Sequence, residues 1–138
     1  MRRSLVAIAL LAVVGCRPSE CAPPTLCQIT KSYHFAITPS VAPPYAREAT
    51  LYRIVVRDRE SRQPIETGEG QIYASNVDRA NTWDGFAKGA EIGTYYGKLN
   101  FVTSGQWAVA VRFRRDSASA LEATEWMQDV LNERDSIP

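Results

Sequence analysis

Polar and apolar residues alternate along most of this chain, which points to strands. Gln106–Arg114 is the clearest case: Trp107, Val109, Val111 and Phe113 share one face, and Ala108, Ala110, Arg112 and Arg114 share the other. Ala49–Asp58 alternates Tyr52, Ile54 and Val56 with Arg53, Val55 and Arg57. Lys31–Thr38 sets Tyr33, Phe35 and Ile37 on one side, Thr94–Thr103 does so with Tyr95, Leu99 and Phe101, and Gly70–Val77 makes a further strand through Ile72. A period of two puts one face in a core and the other in water. Pro39, Pro43 and Pro44 mark an extended edge or loop, Arg59–Gln63 with Pro64 a turn, residues 78–93 a glycine-bearing hairpin or irregular connection, and Ser104-Gly105 a tight turn. Several short strands without helical crossovers predict an antiparallel β-sandwich over residues 31–118. Its predicted inward set is Tyr52, Ile54, Val56, Ile72, Tyr95, Leu99, Phe101, Trp107, Val109, Val111 and Phe113.

The tail changes period. Ser119-Ala-Leu-Glu122 fits a capping box, and Ala123, Trp126, Met127, Val130 and Leu131 follow at helical spacing. Residues 119–138 are therefore expected to be an amphipathic C-terminal helix, near 120–133, with its tail.

The start changes the cellular picture. Arg2 and Arg3 precede an apolar run from Leu5 to Val14, and Gly15 precedes Cys16. This is the order of a secretory signal peptide, here residues 1–15. Val13-Val14-Gly15-Cys16 resembles a bacterial lipobox, which implies lipidation at Cys16. The apolar run is shorter than the roughly 20 residues of a spanning helix. Residues 16–30, with Pro18, Pro23 and Pro24, read as a tether that lifts a domain from the membrane. The expected location is the extracytoplasmic side of the cell envelope. With two membranes, Arg17 after the lipidated Cys leans toward the outer membrane, facing the periplasm; with one membrane, the site is its outer face.

Of the three cysteines, lipid at Cys16 leaves Cys21 and Cys27 as a pair. An oxidising compartment favours a small disulfide loop. A metal or redox role is the rival, but the spacing is not C-x-x-C. His34 is the only histidine, so a Cys/His zinc cage is not available. The formal charge is +1, and losing Arg2 and Arg3 with the signal takes it to −1. That excludes a general polyanion binder and with it a nucleic-acid partner.

The stretch from Ala49 to Asp116 resembles the YtkA-like domain, related to FixH, an immunoglobulin-like fold of secreted or membrane-tethered bacterial proteins. Leu51-Tyr-Arg-Ile-Val-Val-Arg-Asp58 with Gln63-Pro64-Ile65 is similar to the family's V-x-D-x-x-G-x-P-V segment. Gly93-Thr94-Tyr95 opens a strand as in the family, and Ser104-Gly105-Gln106-Trp107 before Ala-Val-Ala-Val-Arg-Phe matches its G-x-W-x-V-x-V. The resemblance implies an immunoglobulin-like sandwich and, through the methionines many members carry, metal (copper) handling or a role in oxidase assembly. Here residues 73–91 have no methionine; the chain's two are Met1 and Met127. No residue is therefore assigned to a metal, and no cofactor is expected.

The chain has no G-x-S-x-G, P-loop or H-E-x-x-H motif. Carboxylate pairs such as Glu66/Glu69 and Asp78/Asp84 sit in turns, where such groups are solvated. No catalytic residue is proposed, and the expectation is a non-enzymatic protein- or ligand-binding module. Trp83 and Phe86, flanking Asp84-Gly85, are candidate partner-binding residues for an envelope protein, with capping of the core as the alternative.

Overall fold

In the computed structural model, residues 20–135 are described. Nine strands make the element order: β1 Leu26–Ile29, β2 Tyr33–Pro39, β3 Ala49–Asp58, β4 Glu69–Ser75, β5 Asn81–Gly85, β6 Ala87–Lys88, β7 Thr94–Asn100, β8 Gly105–Arg114 and β9 Glu122–Val130. They form two sheets, ordered β1-β2-β3-β7-β6 and β5-β4-β8-β9. Every strand pairing is antiparallel. The chain is thus an all-β protein of two antiparallel sheets that share one core.

That core is the predicted inward set in full, joined by Tyr33, Phe35 and Ile37 from β2. Phe113 meets Tyr33, Phe35 and Tyr95 edge to face, with ring centroids 5.0, 6.2 and 5.5 Å away. Offset and edge-on ring contacts add to what burial alone contributes.

The turns follow from local chemistry. Asp58 accepts hydrogen bonds from the amides of Glu60 and Ser61 and pairs with Arg115 at 2.6 Å. The Arg115 guanidinium first, and then those amides, hold its carboxyl down at about 2. Gly93 has a φ of +78° and its carbonyl accepts from the Val56 amide at 2.8 Å. A Cβ there would sit 2.6 Å from Pro64 Cβ, so glycine is required by both conformation and space.

Two expectations need correction. The first is the C-terminal helix, which is strand β9; no helix occurs among the described residues. β9 runs against β8 from Gly105↔Val130 to Phe113↔Glu122. Its burial alternates, with Thr124, Trp126 and Gln128 more buried than Glu125, Met127 and Asp129. Helix-forming residues and a strand pattern coexist in this segment, and the open edge of β8 decides between them. The capping box dissolves accordingly. Ser119 bonds to Asp116, and Glu122 Oε1 accepts from the Ser32 amide at 2.8 Å, tying β9 to the turn before β2.

The second is the tether over residues 16–30. Leu26–Ile29 instead pair with Ile37–His34 as the edge strand of the first sheet. Four residues between prolines and a polar turn are too few to show a period, so the sequence hid this strand. The signal peptide and Cys16 lie outside the described residues.

Candidate functional site

The two sheets part at one end into an open cleft of about 580 Å³. Leu26, Ile37, Pro39 and Tyr52 line it from the first sheet, and Trp126, Met127 and Gln128 from β9. Pro23, Pro24, Ala42 and Pro43 complete its rim. The lining is mostly apolar, and the volume lies in the range of small-molecule sites.

Geometry explains why a cleft forms here. β1 and β9 are the edge strands on this side of the two sheets. Thr124 Oγ1 donates to Gln28 Oε1 at 2.8 Å and holds those edges together at one point. The prolines cannot extend the ladders and leave the space beyond that point unfilled.

Tyr52 lies at the boundary between cleft and core. The side chain is buried, and its hydroxyl has no hydrogen-bond partner within the protein. Burial pushes that hydroxyl well above the ordinary tyrosine range, so it stays protonated. A buried hydroxyl without a partner costs about 1–3 kcal/mol. Tyr52 belongs to the cleft lining, but its hydroxyl is sealed from the open space. Sequence reasoning placed Tyr52 in the core and did not show the cleft, because the lining comes from positions 23 to 128, with no local motif.

Trp83 and Phe86 do not form one surface. Trp83, 63% exposed, lies on the outer face of β5 opposite Tyr73. Phe86 turns inward, with its ring 5.7 Å from Tyr95 and 6.3 Å from Phe113. The capping alternative describes Phe86, and Trp83 alone remains available to a partner. Arg53 and Arg57 lie on β3, and Arg112 and Arg114 on β8 of the other sheet. Arg53, Arg57, Arg114 and Arg115 pair with Glu91, Glu20, Glu69 and Asp58.

Cys21 and Cys27 are joined in a disulfide, with Cα atoms 5.4 Å apart. His34, which looked isolated in the sequence, lies beside them. One imidazole nitrogen and the two Sγ atoms all fall within 4.8 Å of one another.

No family model matches the chain, and no curated protein matches it. Among solved structures, it is similar to a DUF4426 family protein from Pseudomonas aeruginosa PAO1, at a TM-score of 0.59 and 7% identity. The match covers 78% of this chain and 98% of that one. At that identity the likeness shows the fold alone: a small bacterial β-domain has the same architecture.

Proposed function

We propose that this protein is a non-enzymatic, lipid-anchored envelope module of immunoglobulin-like, YtkA/FixH-like type, and that its cleft binds a small apolar ligand. The mostly apolar cleft, walled by prolines, Trp126 and Met127, is the observation that carries the reading. Prolines and Trp126 supply rigid apolar contact area at little entropic cost. The lipobox-like end at Cys16 would fix the module to a membrane. Trp83, exposed on β5 at the opposite edge of the second sheet, leaves a second face for an envelope protein.

The anionic naphthalene dye ANS, apolar with one sulfonate acceptor, is a suitable probe. The wild-type domain should bind it at one saturable site. Trp126→Ala should weaken that binding about tenfold. Tyr52→Phe should leave it unchanged, with stability unchanged or raised by up to about 1 kcal/mol, because a sealed, orphaned hydroxyl is removed. Dye fluorescence titrations and thermal melts check both. Equal affinity in the wild-type and Trp126→Ala proteins would sink the cleft as the site.

The anchor has its own test. Cys16→Ser should abolish acylation and move the protein from the detergent phase to the aqueous phase on phase partitioning. If both forms partition into water equally, lipidation at Cys16 is wrong.

A further inference from the structure

The outer face of the first sheet carries a second cluster, remote in chemistry from the cleft. Register places Cys27 opposite Ala36 and Ile29 opposite His34, so Cys27 and His34 project from the same face. That face is the one away from Tyr33, Phe35 and Ile37. The chain before β1 folds back over it and brings Cys21 onto the same spot.

His34 is the anomaly. It is 6% exposed, and its Nδ1 is buried with no hydrogen-bond partner. A buried polar atom without a partner calls for an explanation. Around it stand Arg57, its cross-strand neighbour on β3, and Glu20, which accepts from Arg57 at 3.4 Å. Arg62 is held close by its carbonyl, which accepts from Arg57. Burial first, and then Arg62, push the imidazole below its usual range; Glu20 opposes them and Arg57 adds to them. An imidazole binds metal through an unprotonated ring nitrogen.

We propose that Cys21, Cys27 and His34 form a redox-gated site for a thiophilic d10 cation, closed in the disulfide form and open in the dithiol form. Two thiolates and a neutral imidazole are the donor set that selects such ions over hard ones. The three donor atoms already lie within 4.8 Å of one another, so opening the S–S bond leaves them around a common centre without moving the sheet. Exposed Cys21 gives the ion a route from solvent.

The chemistry balances. A dithiol reductant transfers two electrons and two protons to the Cys21–Cys27 bond, and becomes a disulfide itself. Two thiols result. Metal binding then releases both thiol protons to water as two sulfur–metal bonds form, and the imidazole lone pair supplies the third bond. Exchange with an oxidised disulfide partner runs the step backwards and expels the ion.

The test uses the full domain after reduction by a dithiol and removal of the reductant. Zn(II) and, without oxygen, Cu(I) are titrated against chelator competitors. At least one of the two should bind at one ion per chain, at least a hundredfold tighter to reduced than to oxidised protein. X-ray absorption should show two sulfur and one nitrogen neighbours from the protein. His34→Ala should lose the nitrogen and weaken binding at least tenfold. Cys21→Ser with Cys27→Ser should not bind and serves as the reference for a fold without the disulfide. Failure of both metals to distinguish the redox forms overturns the site. So does a first shell without the imidazole nitrogen, a result the wild-type protein gives even if the His34 variant does not fold.

Discussion

Trp107→Ala should destabilise the domain by about 3–5 kcal/mol, the cost of lost burial plus the cavity left behind. Trp107 is fully buried near the start of β8. Its ring meets Phe101 edge to face at 5.3 Å, and its indole N–H donates to the Thr103 carbonyl at 3.0 Å. The residue thus fills the core and pins the turn that leads into its own strand. Alanine removes both contacts and leaves a cavity beside fully buried Phe101. Single domains have about 5–15 kcal/mol to lose, so the variant should be marginal at 37 °C. Trp83→Ala offers the contrast. That side chain lies exposed on β5, and its loss should change stability by about 0.5 kcal/mol or less. Urea unfolding of both variants checks the pair. A Trp107→Ala protein as stable as wild type would contradict the strand phase on which the core is built.

That strand phase was the most legible feature of the chain. Each long strand repeats its pattern over seven to ten residues, as β2, β3, β7 and β8 do, and a two-residue period over that length has one interpretation. Where the pattern is short or ambiguous, reading fails for identifiable reasons. β1 spans four residues and borrows its conformation from β2. In β9, Ala123, Trp126, Met127 and Val130 satisfy a helical stripe, while Thr124, Trp126, Gln128 and Val130 satisfy a strand. Composition favours the first and the unpaired edge of β8 the second.

The sites were legible in a different degree. Pairing Cys21 with Cys27 followed from counting, and the structure contains that bond. Adding His34 required the register of β1 against β2 and the fold-back of the segment before it, neither of which has a sequence signal. The only hint was a lone histidine on the polar side of a strand whose alternate residues are core. Trp83 and Phe86 show the reverse problem. Aromatics three apart look like a joint surface in a loop. With Trp83 in a strand and Phe86 just past its end, one faces solvent and the other closes the core. The cleft had no sequence signal at all, because its walls come from β1, β2, β3 and β9.

Deleting residues 121–138 should abolish cooperative folding. β9 pairs with β8 from Gly105 to Phe113, and in the order β5-β4-β8-β9 it is the only neighbour on that side. Its loss would leave a ten-residue strand with unpaired amides and carbonyls over a newly opened core. Such edges invite pairing with other chains. Trp126 would no longer pack against the core, and buried Val130 would leave it. The end of β9 also crosses to the other sheet's connections: Leu131 donates to the Pro44 carbonyl and accepts from the Ala46 amide, at 2.8 and 2.9 Å. The segment is therefore integral to the sandwich, where a helix laid on its surface would be separable. Expression of the shortened domain, followed by calorimetry and light scattering, distinguishes the two. The expected result is an aggregating chain without a melting transition. A soluble, shortened protein that melts within a few degrees of the full domain would make β9 dispensable and return the C-terminal segment to the role of an appendage.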